Sequence, residues 1–143
     1  MALSPQENTN YSDPKYGVIH RTYFPAGVHN HDDVGAAGTH LESYLALPVK
    51  ANIVAFGIQS ASAQDVTLAT DDGFELRTVN GTKLATLVSS ADYILGSGEA
   101  TSVAPETATT IAKNHGMVAC VASDVGVAGS VIYFVDWSAQ HVA

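Results

Sequence analysis

The sequence predicts an all-β chain: an antiparallel β-sandwich, jelly-roll-like, preceded by an extended N-terminal arm. Three observations lead there. Charged residues make up 14% of the chain and hydrophobic ones 46%, the latter drawn largely from Ala and Val, which suit strands and closely packed layers. Six or more short apolar runs follow Leu45, separated by turn residues every 8–12 positions, the pattern of a sandwich rather than of a βαβ fold. Ahead of them, residues 1–44 show no sustained period of 2 or 3.6, yet hold four of the six tyrosines and four of the six histidines. At 143 residues the chain fits one domain able to bury about two-thirds of its surface.

Taken in order, residues 1–44 read as the arm and 45–143 as the sandwich domain. The steps Ser4-Pro5, Asp13-Pro14 and Phe24-Pro25 favour extended backbone, because the residue before proline is driven out of the helical region. Tyr16, Tyr23 and Phe24 are too apolar for a free tail, so such an arm needs a surface to lie on. On that reasoning its candidate contact residues are Tyr11, Tyr16, Arg21, Tyr23, Phe24, His29 and His31. Removing residues 1–40 is expected to leave the sandwich folded.

Val49-Lys-Ala-Asn-Ile-Val-Ala-Phe-Gly-Ile58 alternates and then turns apolar on both faces, as a strand inside a sandwich does. Gln64-Asp-Val-Thr-Leu-Ala-Thr70 and Phe74-Glu-Leu-Arg-Thr-Val79 flank Asp71-Asp-Gly73. A three-residue loop there sets Leu68 opposite Leu76, Val66 opposite Thr78 and Thr67 opposite Arg77, keeping apolar side chains on one face, so a hairpin with that register is expected. Asn80-Gly81 is a second turn signal. Residues 83–95 fit a helix and a strand equally, since Leu84, Leu87, Val88, Ala91, Ile94 and Leu95 recur at helical spacing while Leu84, Thr86 and Val88 alternate. Gly96-Ser-Gly98 breaks the run, and Pro105 interrupts any strand between Thr101 and Ile111 or confines it to an edge. The final runs, Met117 to Ser123 and Ser130 to Trp137, are expected to pair across the glycine-punctuated Asp124-to-Gly129 connection.

Chemistry finds little purchase. Fourteen acidic against six basic residues, a formal charge of −8, leave few cations for a phosphate-binding groove, so nucleic acid is not an expected partner. The N-terminus lacks the basic start and apolar run of a signal peptide, and no window reaches the ~18 apolar residues of a membrane helix. A protein made in the cytoplasm, with no membrane partner, is therefore expected. Cys120 is the sole cysteine and reads as a small buried hydrophobe rather than a reactive thiol.

Val28-His-Asn-His-Asp-Asp33 deserves a harder test. His29 and His31, two apart on extended chain, point to one side and resemble a transition-metal pair, with Asp32, Asp33 or His40 as further ligands. Cupins use such spacing, but their first motif needs a Glu four or five residues after the second His, where this chain has Gly35 and Ala36; the next Glu is Glu42. His115 lies in the turn Asn114-His-Gly116. The segment reads instead as a polar, glycine-rich stretch, because ordering flexible ligands costs about 1–2 kcal/mol per residue. Gly96-Ser-Gly98 is neither a nucleophile elbow nor a dinucleotide fingerprint, and there is no phosphate-binding Gly-Lys-Ser/Thr loop. Asp71 and Asp72 are explained by their turn. Asp136-Trp137 stands alone, without the repeat of a propeller, and Trp137 reads as an anchor in the core or at an interface. No catalytic, cofactor-binding or metal-binding residue is expected.

The runs Val49-Lys-Ala-Asn-Ile-Val-Ala-Phe-Gly-Ile-Gln, Asp65-Val-Thr-Leu-Ala-Thr-Asp-Asp-Gly and Val121-Ala-Ser-Asp-Val-Gly-Val-Ala-Gly-Ser-Val-Ile-Tyr-Phe resemble those of small β-sandwich virion proteins of tailed bacteriophages, in particular the head decoration or cement class. The resemblance covers residues 47 to 137 and is one of texture, with no invariant signature. It implies a non-enzymatic structural protein on the capsid exterior, bound to the major capsid protein and to copies of itself as a homotrimer or homodimer, with an arm tying one subunit to the next. The alternative is a β-sandwich module of a fibre or adhesin that binds carbohydrate or a host surface. With four of the six tyrosines in the arm, an aromatic sugar-stacking platform is not apparent.

Overall fold

The computed structural model describes residues 18–24, 29–30, 43–60, 65–68, 73–88, 93–121 and 130–140. They form twelve strands: β1 (His20–Tyr23), β2 (His29–Asn30), β3 (Ser43–Ala46), β4 (Ala51–Ser60), β5 (Val66–Leu68), β6 (Gly73–Thr78), β7 (Lys83–Val88), β8 (Tyr93–Leu95), β9 (Ala100–Val103), β10 (Thr109–Ile111), β11 (Gly116–Val121) and β12 (Ser130–Ala139). A six-stranded sheet runs β1-β12-β4-β10, with β2 also on β12 and β9 also on β4; a four-stranded sheet runs β3-β11-β6-β7; β5 and β8 make a separate pair. Every pairing is antiparallel. The fold is the antiparallel β-sandwich that the alternating, turn-punctuated sequence predicts.

Burial follows the pleat. Along β12, Val131, Tyr133, Val135, Trp137 and Ala139 face the core, and Ile132, Phe134, Asp136 and Ser138 face the other way. Tyr133 is the centre of the interior. Its ring stacks on Phe56 of β4 at 6.1 Å and meets Phe74 of β6 at 6.0 Å and Phe24, just past β1, at 6.3 Å, both edge-on. Three strands from both sheets, and the residue that follows β1, are thereby joined through one aromatic cluster, each pair adding about 0.5–1.5 kcal/mol beyond its buried area. Burial pushes the Tyr133 phenol far above its ordinary range, because the charged form would sit in a medium that solvates it poorly.

Several expectations meet their outcome here. The described residues within 83–95 form two strands, Lys83–Val88 and Tyr93–Leu95; residues 89–92 lie outside the described residues. Pro105 does interrupt its run, which forms β9 and β10 as two separate partners of β4. Asn80-Gly81 is the turn of a hairpin, with Gly81 at φ 95°, but that hairpin joins β6 to β7. Cys120 and Trp137 are both buried.

The two other hairpins need correction. β5 pairs with β8, setting Val66 opposite Leu95 and Thr67 opposite Ile94, whereas both edges of β6 are occupied, by β11 and β7. The Leu68–Leu76 register is therefore not formed; residues 69–72 lie outside the described residues. Likewise β11 and β12 belong to different sheets and do not pair as a hairpin; residues 122–129 lie outside the described residues. The physical reason is shared. An alternating strand fixes which face is apolar but not which neighbour it takes, and two strands with one buried face each fit across a core as well as side by side.

The boundary expected after residue 44 runs through β3, which pairs with β11. The described parts of residues 1–44 hold places in both sheets: β1 and β2 lie along β12, and Ser43 and Tyr44 along β11.

Candidate functional site

The candidate site is the β1 margin of the six-stranded sheet, where three of the sequence-derived contact residues, Arg21, Tyr23 and Phe24, fall. The register His20↔Trp137, Arg21↔Asp136, Thr22↔Val135, Tyr23↔Phe134 sends alternate side chains to opposite faces. His20, Thr22 and Phe24 turn inward. The His20 ring lies 4.8 Å from that of Trp137, the Trp137 indole Nε1–H donates to Thr22 Oγ1 at 2.9 Å, and Phe24 is 1% exposed. Arg21 and Tyr23 turn outward.

On the outward face the chain has an unusual problem. Tyr133 and Phe134 are adjacent, so only one can enter the core. Phe134 points out and is nonetheless fully buried. Beneath it is Gly57, where a β-carbon would come within 2.5 Å of the ring and 2.3 Å of the Thr101 carbonyl oxygen. Above it, the Arg21 guanidinium lies 3.9 Å from the ring centroid, a cation–π contact, and Tyr23 meets it edge-on at 6.1 Å. Arg21 is fixed by Asp136 through Nε–H to Oδ1 at 2.7 Å and an Nη2–H to Oδ2 at 2.9 Å. That two-pronged bond holds the Arg21 pKa above its ordinary value, since it stabilises the cation. The Tyr23 hydroxyl donates to Gln59 Oε1 at 2.7 Å, spanning β12.

Phe24 thus serves the chain's own core, and Arg21 and Tyr23 cap an outward aromatic while leaving part of their surface in solvent. For His29 the backbone alone is placed, opposite Val131. Tyr11, Tyr16 and His31 lie outside the described residues, as do Asp32, Asp33 and His40. Among the described residues no three His, Cys, Asp or Glu side chains gather as a metal site would require.

Sequence reasoning passed over Asp136, Gly57 and Phe134. The signal was present: consecutive large aromatics on an alternating strand require an outward cover, and Arg21, Tyr23 and Asp136 are residues able to supply it.

Beyond the cap the margin is apolar. Val18 is 48% exposed, Ile19 54% and Tyr23 41%. Elsewhere, Tyr44 of β3 is also exposed, but its ring lies over Gly116 beside Val79. An open cleft of about 350 Å³ sits by the β6–β7 turn, with Thr78, Asn80, Thr82, Thr109, Thr110 and His115 in its wall. Two of those hydroxyls are already engaged, Thr110 donating to Asn52 Oδ1 and Thr109 to the Thr107 carbonyl. None of the described residues that line the cleft is Phe, Tyr or Trp, so they offer no ring on which a sugar could stack.

No family model matches the chain, and no curated protein matches it. Among solved structures it is similar to a chain in the structure of the infectious bursal disease virus Gx strain, at 12% identity and a TM-score of 0.26, over 88% of this chain and 37% of that one. It is also similar to a chain of the T13 viral particle of infectious bursal disease virus, at 12% identity and a TM-score of 0.24, over 89% of this chain and 43% of the other. The chain therefore spans less than half the length of either. At TM-scores this low the likeness transfers neither a topology nor a function.

Proposed function

We propose that this chain is a non-enzymatic structural protein of a virion, one that binds the major capsid protein on the outer surface of the shell, self-associates and stabilises the head. The observation that carries the reading is the β1 margin: exposed Val18, Ile19 and Tyr23 beside a strand edge that no strand among the described residues takes up, on a sandwich with a sealed aromatic interior. Such a margin suits many weak contacts repeated by symmetry, in which backbone pairing and a few apolar side chains act together. The texture shared with tailed-phage head decoration proteins supports the same reading. Net negative charge fits a position on the outside of the shell, away from packaged nucleic acid.

Purified protein mixed with heads lacking their decoration is expected to bind saturably, at a stoichiometry set by capsid symmetry, and its copy number in purified virions should match. Absence of binding to any shell, together with binding to immobilised glycans, would transfer the assignment to the fibre or adhesin reading. The cleft gives that reading no support from an aromatic platform.

A further inference from the structure

The self-association within that proposal has a specific place in the fold. The Phe24 amide donates to the Tyr133 carbonyl at 2.9 Å, which makes those residues a hydrogen-bonded pair. Alternation along an antiparallel ladder then aims the backbone of Thr22 and His20 at β12, and that of Arg21 and Tyr23, with Ile19 one step before, away from the sheet. Among the described residues no strand takes up that edge.

Natural sheets blunt such edges with lysine, proline or an occupying side chain. Three other margins here are guarded: β7 begins with Lys83, which pairs with Glu106; β10 sits between Pro105 and Lys113; β3 has its exposed Tyr44 ring laid over Gly116. Residues 18–24 contain neither lysine nor proline. Their one charge, Arg21, is drawn back across β12 by Asp136 and Phe134, so it does not project from the edge.

We infer that the open edge of β1 pairs with the same edge of a second copy, antiparallel, about a two-fold axis at Arg21. The inference rests on the structural-protein reading. A second copy is the occupant because the segment is self-complementary in that register: Ile19 of each chain faces Tyr23 of the other, apolar against apolar at both ends, and the Arg21 side chains at the centre are each neutralised by their own Asp136. A partner with net charge of either sign gains nothing from an edge whose charge is internally matched. Five paired residues bury less than the ~1,000 Å² of a stable interface, so the contact is weak in free solution and strengthens where copies are held side by side.

Sedimentation velocity of the full chain from about 10 µM to about 1 mM should show a reversible monomer–dimer equilibrium. Ile19→Lys should lower the association constant at least tenfold with unchanged thermal unfolding. As a second readout, cross-strand β-carbons lie about 4.5–5.5 Å apart, so Ile19→Cys and Tyr23→Cys chains mixed and mildly oxidised should form a disulfide-linked dimer that neither gives alone; Cys120 is buried. A chain that stays monomeric throughout overturns the inference, as does a dimer that survives Ile19→Lys or cross-links equally in either variant alone. Saturable shell binding by a strictly monomeric chain would remove this interface and leave the proposed function standing. Edge dimers without shell binding would do the reverse.

Discussion

Replacing Phe24 with alanine asks whether the chain before β3 is a detachable tether or a part of the sandwich. Phe24 is 1% exposed and meets the central Tyr133 edge-on at 6.3 Å. Truncating a buried phenylalanine costs about 3–5 kcal/mol, as lost transfer energy plus the cavity left behind. A domain of this kind has about 5–15 kcal/mol in total, so one side chain from the leading segment accounts for a large part of the whole. The same change corresponds to a fall in Tm on the order of 10–20 °C. Urea unfolding followed by the fluorescence of Trp137, the only tryptophan, is a suitable assay, because its indole bonds to Thr22 of β1 and reports on that pairing. Ile19→Ala, at a 54% exposed position, should stay within about 0.5 kcal/mol of the parent. If Phe24→Ala behaves like Ile19→Ala, then β1 contributes nothing to the interior and the aromatic cluster does not carry the weight assigned to it. By the same logic, removal of residues 1–40, which the sequence alone suggested would leave the sandwich folded, should instead destabilise it, because it takes away β1, β2 and the buried Phe24.

Further predictions concern the outward cap and the buried phenol. Gly57→Ala should destabilise by about 1–3 kcal/mol through overpacking, and pairing it with Phe134→Leu should recover part of the loss at most, because the Thr101 carbonyl oxygen, 2.3 Å from the new β-carbon, is backbone; full recovery in denaturant melts would contradict the geometry. A double-mutant cycle on Arg21 and Asp136 should give a coupling of about 0.5–1 kcal/mol, shrinking with added salt because Arg21 is partly exposed; a salt-independent value would count against the pair as drawn. The Tyr133 phenol is raised by burial above its ordinary value of 10.0, so the unfolded chain loses that proton first. Its contribution to stability is complete below about pH 10 and declines as pH rises beyond it. Tyr133→Phe should accordingly flatten the alkaline limb of a stability–pH profile, and an unchanged slope would place the sensitivity elsewhere.

The fold class was legible because it depends on local quantities: alternation in Ser130–Ala139, β-branched and alanine-rich runs, and turn residues between them. The position of β9 and β10 was legible through Pro105 for the same reason. Neighbour choice was not. Val66–Leu68 offers one apolar face whether it lies beside β6 or beside β8, and nothing within the segment distinguishes the two; the decision belongs to β7 and β11, which fill both edges of β6. The candidate site was half legible. Tyr23 and Phe24 stood out as too apolar for a free tail and Arg21 was grouped with them as a contact residue, but their division between the core and the outward cap follows from pairing with a strand more than a hundred residues away. Gly57 could not be picked out among twelve glycines until Phe134 was seen lying across it.

The place of β12 has a bearing on how the protein comes into being. This strand, from the end of the described chain, lies between β1 and β4, near the beginning. During translation the earlier strands therefore wait with their apolar faces uncovered until residue 139 clears the ribosome, and closure then requires contacts between the most distant parts of the polypeptide, a topology that folds slowly. Over that interval the nascent chain depends on chaperones, or on its low content of long sticky segments, to remain single, and a stall near Asp124 would leave a product with every strand of the four-stranded sheet but without β12, on which the six-stranded sheet is built.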